Sequence, residues 1–205
     1  ARAADVVALQ ECTADMMSVL LASPFVRQHY YVTDYAGERL AAASYCTVML
    51  LRKALVWRGV HRVDVTSTMG RRLLIASLAL DANGHTLPVA TIHAESTQSM
   101  ARVRREQLVE WALPALSTYD DAAGAVLMGD MNLCATWPEN DEAIAAHWHD
   151  VWHELRPSEP GFTEDTDVNE MRRAVTGRDK HVRFDRVLHL RRGAAPHAYD
   201  MTARF

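Results

Sequence analysis

Apolar residues along this chain fall mostly in short runs broken by polar and turn-forming residues, and few recur at a helical period. That spacing predicts a strand-rich domain. DVVALQ reads as a short buried strand ending at Glu11. Thr13 is placed to cap a helix running to about Leu21, which Pro24 closes. HYYVT, SYCTVMLLR and VWRGVHRVDV read as strands, rich in β-branched and aromatic residues. RLLIASLAL and TLPVATIH are two strands joined by the hairpin signal Asp81-Ala82-Asn83-Gly84. From Ser99 to Leu113 the pattern turns amphipathic and predicts a helix ended by Pro114. AVLMGD is a buried strand that delivers Asp130 at its end. A polar stretch follows with one helix near 139–147, and FDRVLHL is the last readable strand. The central hairpin forces antiparallel pairing and excludes a plain parallel doubly wound sheet. Two packed sheets flanked by helices suit the mixture.

Composition refines this only slightly. At 49% hydrophobic and 23% charged the 205 residues suit one domain, 1–205. No apolar run reaches the roughly 18 residues of a membrane span, so no membrane partner is expected. The chain opens directly into a strand, which predicts no signal peptide. Cys12, Cys46 and Cys134 are odd in number and widely spaced, making neither a disulfide framework nor a zinc pattern. A reducing interior follows as the default. The net charge of −4 argues against a general nucleic-acid coat. Its distribution is uneven: residues 139–170 hold ten acids and one base, Arg156, and residues 171–192 hold eight bases and two acids. These are either two solvated loops of opposite sign or, for the second, a basic rim that attracts a phosphate backbone.

Three segments place polar groups where apolar strands end. In Leu9-Gln10-Glu11 the carboxylate suits a hard cation, although taken alone it reads more simply as a solvated acid. In Thr91-Ile92-His93-Ala94-Glu95-Ser96-Thr97, His93 and Glu95 alternate on one face. His93 is placed to hydrogen-bond a phosphoryl oxygen, and Ser96 or Thr97 to cap the next helix. In Gly129-Asp130-Met131-Asn132, Asp130 and Asn132 share a face. The carboxylate can orient a water, the amide can hold a phosphate or metal, and Gly129 relieves crowding at the turn. The histidines between His147 and His153 lack a zincin pattern and are not read as a zinc site.

Leu-Gln-Glu, Thr-x-His-x-Glu-Ser-Thr, Gly-Asp-x-Asn-Leu and Arg183-Phe184-Asp185-Arg186, in that order, resemble the endonuclease/exonuclease/phosphatase superfamily. Glu-Ser-Thr, Arg104 and Gln107 in the next helix, Asp150-Val151-Trp152 and Arg-Phe-Asp-Arg resemble most closely the 5′-tyrosyl-DNA phosphodiesterases, type 2. The resemblance runs from about Asp5 to Leu190. It implies an α/β (α+β) fold: a four-layer α-β-β-α sandwich, two packed mixed β-sheets flanked by helices. It implies a magnesium-dependent phosphodiester hydrolase acting on nucleic-acid ends, including protein-linked 5′ DNA ends, with manganese as a substitute ion. By that resemblance Glu11 binds the metal, His93 contacts the phosphate, and Ser96 is a nearby polar group. Asp130 is the catalytic aspartate, and Asn132 contacts the phosphate beside the metal. The implied setting is intracellular: nucleus, cytoplasm or mitochondrion.

The family also has an initial strand ending in an asparagine ligand and a final Asp-His strand. This sequence starts after the first and ends at Met201-Thr202-Ala203-Arg204-Phe205 without the second. The expected fold is therefore incomplete at both ends. Either a longer protein supplies the missing strands, or a partner chain covers the edges they would leave. His189 and His197 read as incidental. Gln98, Cys134-Ala135 and Glu164 stand where tyrosyl members carry arginine, Arg-Asp and tryptophan, which weakens the grip on a DNA end. The alternative function is a catalytically inactive relative serving as a structural or binding subunit of a ribonucleoprotein or other assembly. A sugar or lipid phosphatase is a third, weaker reading.

Overall fold

The computed structural model describes residues 3–34, 44–119 and 124–191. His197 and the 201–205 end fall outside them. Strand β1 (Val6–Cys12) pairs antiparallel with β3 (Cys46–Arg52), which pairs antiparallel with β2 (Tyr30–Val32). A larger sheet has the order β4-β5-β6-β7-β11-β8. Its strands are β4 (Trp57–Asp64), β5 (Arg72–Ala79), β6 (Thr86–Ile92), β7 (Gly124–Asp130), β8 (His149–Asp150) and β11 (Asp185–Arg191). β6 and β7 are parallel and the other pairs antiparallel. Only the larger sheet is therefore mixed; the described three-stranded sheet is antiparallel throughout, which corrects the expectation of two mixed sheets.

Period-2 alternation sends each strand's apolar residues to two faces, and three cores result. One lies between the three-stranded sheet and helices α1 (Ala14–Ala22) and α2 (Pro24–His29), around Met17, Val26, Val48 and Leu50. The second lies between the sheets, where Met49 and Leu51 meet Leu74, Ala76, Leu78 and Val89. In the third, Leu73, Ile75, Ala90 and Leu127 pack on Leu108, Ala112 and Leu116 of the helical run over 98–117. The sheets thus stack between helices. β1 is an edge strand among the described residues, and Val6, Val7, Ala8 and Leu9 are only half-buried.

Two prolines act differently from expectation. Thr13 does cap α1, accepting from the Met16 N–H at 3.3 Å. Pro24, however, opens α2 behind the Ser23 cap, because its fixed φ suits a first helical turn. The 98–117 run does not end at Pro114. It comprises α3 (Ala101–Arg105), a π-helical stretch (Glu106–Ala112) and α4 (Leu113–Ser117). Leu113 N–H reaches back five residues to Leu108, and Pro114 follows where the ladder changes register, so its missing N–H is tolerated. The widely spaced Cys12 and Cys46 become direct partners across β1 and β3, both as free thiols.

Several elements were not anticipated: β8, α5 (Val151–Leu155), the ribbon of β9 (Glu164–Asp165) with β10 (His181–Val182), and α6 (Glu170–Thr176). They explain part of the two charged stretches, which pair with each other at several positions. Arg172 and Lys180 bind Glu164, Arg173 binds Asp167 and Asp179, and Arg183 and Arg186 bind Asp150. The basic rim is thus largely consumed in internal ion pairs; Arg192 lies outside the described residues.

The ends of β6 and β7 approach so closely that only glycine fits. Gly129 has φ +132°, and a Cβ there would sit 2.2 Å from the Ile92 carbonyl oxygen. Gly129→Ala should lose roughly 3 kcal/mol of stability by urea titration. An unchanged midpoint would show that the two strand ends are not held this tightly.

Candidate active site

Three strand ends meet between the sheets. Gln10 Nε2 donates to Thr91 Oγ1 at 2.9 Å, tying the end of β1 to β6. Ala94 N–H donates to the Asp130 carbonyl at 2.8 Å, tying the end of β6 to β7. Met131 N–H donates to the Phe184 carbonyl at 3.0 Å and fixes the residue before β11. Beyond these bonds the backbone leaves regular strand: Glu11 (φ 55°), Thr97 (φ 72°) and Asn132 (φ 49°) all adopt left-handed conformations. Such outliers cost free energy and cluster where function demands an unusual geometry.

Asp130 lies at the centre. Its Oδ1 accepts the Asn132 N–H at 2.9 Å, and its Oδ2 is 3.6 Å from His93 Nε2. Asp185 is its direct partner in the β7–β11 pair. Burial pushes the Asp130 carboxyl up to about 6; the Asn132 N–H and Arg71 oppose this, while Asp185 and Glu11 add to it. Glu11, exposed at the end of β1, is therefore close enough for its charge to be felt at Asp130. Asn132 Nδ2 donates to the Ala94 carbonyl at 3.0 Å, which leaves its Oδ1 and second amide hydrogen for other contacts.

His93 is buried, and Arg71 Nη1 lies 2.8 Å from its Nδ1. Burial, then the Arg71 charge, lowers its pKa to about 4, against a smaller opposing effect of Glu95. His93 is accordingly neutral at pH 7. Arg71 escaped the sequence reading because Gly70-Arg71-Arg72 looks like any solvated strand start.

The structure divides the remaining candidates. Glu95, fully buried, does not share His93's task. Its carboxylate accepts from Ser67 Oγ at 2.6 Å, from Thr68 N–H at 2.9 Å and from the Thr68 hydroxyl. Burial raises its pKa, but these bonds outweigh it and the net shift is downward. Arg104 and Gln107 hold the same turn from the helix side. Gln107 Oε1 accepts Glu95 N–H at 2.8 Å, and buried Arg104 donates to the Glu95 and Thr97 carbonyls and to Glu139. Ser96 is not bonded to the His93–Asp130 cluster; its hydroxyl lies 3.2 Å from Met69 Sδ. Neither Ser96 nor Thr97 caps the next helix by a side-chain bond. In Arg-Phe-Asp-Arg the two arginines serve structure. Arg183 binds Asp150 bidentately at 2.9 and 2.8 Å, Arg186 joins at 3.2 Å, and Asp185 is left opposite Asp130.

Glu11, Asp130 and Asp185 offer the oxygen donors that a hard dication takes, and magnesium needs only one or two of them with water and phosphate. Burial, with smaller additions from Asp185 and Glu11, makes the ionised Asp130 carboxylate costly, and a dication beside it would relieve that cost. The residues present thus fit such an ion.

No protein-family model matches the chain. No curated protein matches it either. Solved structures define the class: the chain matches members of the endonuclease/exonuclease/phosphatase superfamily over more than 90% of its length. More particularly, it is similar to D. rerio TDP2 complexed with single strand DNA product, at a TM-score of 0.75 and 27% identity, covering 94% of this chain and 73% of that one. It is also similar to the human Nocturnin catalytic domain with bound sulfate (TM-score 0.61, 16% identity, 91% and 69% covered). Sphingomyelinase C from Streptomyces griseocarneus matches at a TM-score of 0.66 and 19% identity, with 92% and 72% covered. The last two share the fold alone.

Asp130 also makes a stability prediction. Its folded pKa is raised from 3.8 to about 6, so the folded state holds a proton that the unfolded state has lost. Stability should therefore fall as pH rises through that window. Asp130→Asn removes the penalty. In EDTA at pH 7 it should be more stable than wild type by about 1–3 kcal/mol, with the gain vanishing below about pH 4. Urea titrations across pH check this; a variant less stable at pH 7 would contradict the assigned environment.

Proposed function

We propose that this chain is a magnesium-dependent phosphodiester hydrolase acting on nucleic-acid ends, of the 5′-tyrosyl-DNA phosphodiesterase kind. The observation that carries the reading is the pairing of a neutral His93 with a raised-pKa Asp130, with the Asn132 N–H on the same carboxylate and the Glu11 charge acting on it. A carboxylate with a pKa near 6 is largely ionised at pH 7 and still basic enough to orient and deprotonate a water. His93 faces it and serves the phosphoryl oxygen. Asn132 presents its remaining amide groups to the same phosphate. Glu11 is the proposed ligand for magnesium, with Asp185 nearby. When bound, the ion neutralises charge and polarises a phosphoryl oxygen. Ser96 lines the approach. The complete four-layer sandwich of the family is the proposed full architecture.

The likeness to a TDP2 bound to single-stranded DNA product supports a nucleic-acid substrate. The groove between α3 and the 134–142 loop, beside the Thr97 turn, is mixed in charge: Glu139 and Glu142 line it with Gln98, Arg102, Arg105 and Trp137, and Arg105 is paired with Glu110 and Glu142. Within it Arg102 has no ion-pair partner among the described residues, and the Trp137 face not covered by Arg104 is the proposed surface for a base. A half-buried β1 edge supports a further strand, from this protein or another chain, completing the smaller sheet.

The test is hydrolysis of a 5′-phosphotyrosyl oligonucleotide in magnesium. Wild type should release tyrosine and leave a 5′-phosphate, EDTA should abolish turnover, and Asp130→Asn should lower kcat by at least about 1000-fold. Activity that persists in Asp130→Asn would remove that residue from the mechanism. A protein that also carries the family's first and last strand motifs, yet is inert on both protein-linked and free ends, would favour the inactive binding subunit.

A further inference from the structure

Arg71 is 7% exposed and its guanidinium meets the imidazole of His93 end-on, Nη1 to Nδ1 at 2.8 Å. A guanidinium has hydrogen-bond donors only and does not lose its charge in proteins. The Nδ1 it contacts must therefore carry a lone pair. A neutral imidazole has one ring proton, which then sits on Nε2. Nε2 is 3.6 Å from Asp130 Oδ2, beyond a good hydrogen bond, so its proton is not consumed by the carboxylate.

We propose that Arg71 is a positioning residue that fixes the tautomer of His93, so that His93 serves the site as an Nε2–H donor and never as a proton acceptor. The inference rests on the hydrolase reading and assigns a division of labour within it. Both ring nitrogens are committed, Nδ1 to Arg71 and Nε2 to its proton, leaving Asp130 as the base beside it.

Arg71 is itself held in place. Its backbone N–H donates to Ser67 Oγ at 2.9 Å, and that hydroxyl donates to Glu95 Oε2 at 2.6 Å. Its guanidinium lies over the Tyr45 ring at 5.6 Å, and Nη2 approaches Met69 Sδ at 3.6 Å. Glu95, Ser67, Arg71 and His93 thus form one connected path from a buried carboxylate to the reactive cleft. The otherwise costly burial of Glu95 acquires a purpose: it anchors the segment that presents Arg71.

Long-range proton–nitrogen correlation on the ¹⁵N-labelled 205-residue chain, in EDTA near pH 7, reads the tautomer directly. Wild-type His93 should show an unprotonated Nδ1 and a protonated Nε2. Arg71→Met should move both resonances toward the average of two exchanging tautomers. Arg71→Lys keeps a donor-only cation and should retain the wild-type pattern. A protonated Nδ1 in wild type, a doubly protonated ring, or a pattern unchanged in Arg71→Met would overturn the proposal. Should Arg71→Met fail to fold, the wild-type and Arg71→Lys spectra still decide. On the phosphotyrosyl substrate, Arg71→Met should lower kcat about tenfold with KM nearly unchanged. No turnover from a protein that also carries the family's two end strands, alongside the expected spectrum, would sink the hydrolase reading and leave the tautomer assignment standing.

Discussion

The close approach of β6 and β7 at their shared end is the constraint on which the site depends. These two strands form the parallel pair of the larger sheet, so both run out on the same side. The Ile92 carbonyl sits over Gly129, and Ala94 N–H bonds the Asp130 carbonyl. His93 and Asp130 are neighbours because of this contact. β1 joins through the Gln10–Thr91 bond, and the charge of the next residue, Glu11, acts on Asp130. A parallel pair needs a long crossover, here the helical run over 98–117. That run returns the favour by clamping the turn after His93 with Arg104 and Gln107.

The price of this arrangement is buried charge. Glu95 and Arg104 are withdrawn from water and Asp130 is partly so, and each needs compensation. For Glu95 it is nearly complete: three donors from Ser67 and Thr68, with Gln107 Nε2 at 3.4 Å. Arg104 spans two carbonyls, Glu139 and the face of Trp137. Removing one partner of such a buried pair costs about 3–5 kcal/mol. Asp130 stands apart. It keeps a single short hydrogen bond, from Asn132, and two further carboxylates act on it. Glu95 is thus well compensated, whereas the proposed chemistry leaves Asp130 under-compensated.

Much of this was legible in the sequence, and the failures have physical reasons. The long strands were readable because both faces of β3, β5 and β7 are covered, which demands continuous apolar runs. Glu11, His93, Asp130 and Asn132 were findable because each interrupts such a run. α6 was missed because none of its residues is buried and Met171 and Val175 face solvent. Only its caps, Asn169 and the left-handed Gly177, mark it. The opposed charge runs could not be read as mutual partners before the β9–β10 ribbon brought them together. Arg71 and Glu95 illustrate the harder limit. An arginine at a strand start and a glutamate at a strand end are ordinarily solvated, and only tertiary burial turns them into a support for His93.

The central claim is that Glu11 and Asp130 mark a cation-dependent cleft. Manganese binding followed by paramagnetic broadening tests it most directly, because Asp165, Asp167 and His181 form a second, exposed ligand-like cluster elsewhere. One manganese ion should broaden the resonances around Glu11 and Asp130 while sparing those around His181. Glu11→Gln should weaken that binding by at least about tenfold, about 1.4 kcal/mol. Equal affinity in Glu11→Gln, or broadening confined to Asp165, Asp167 and His181, would contradict the account.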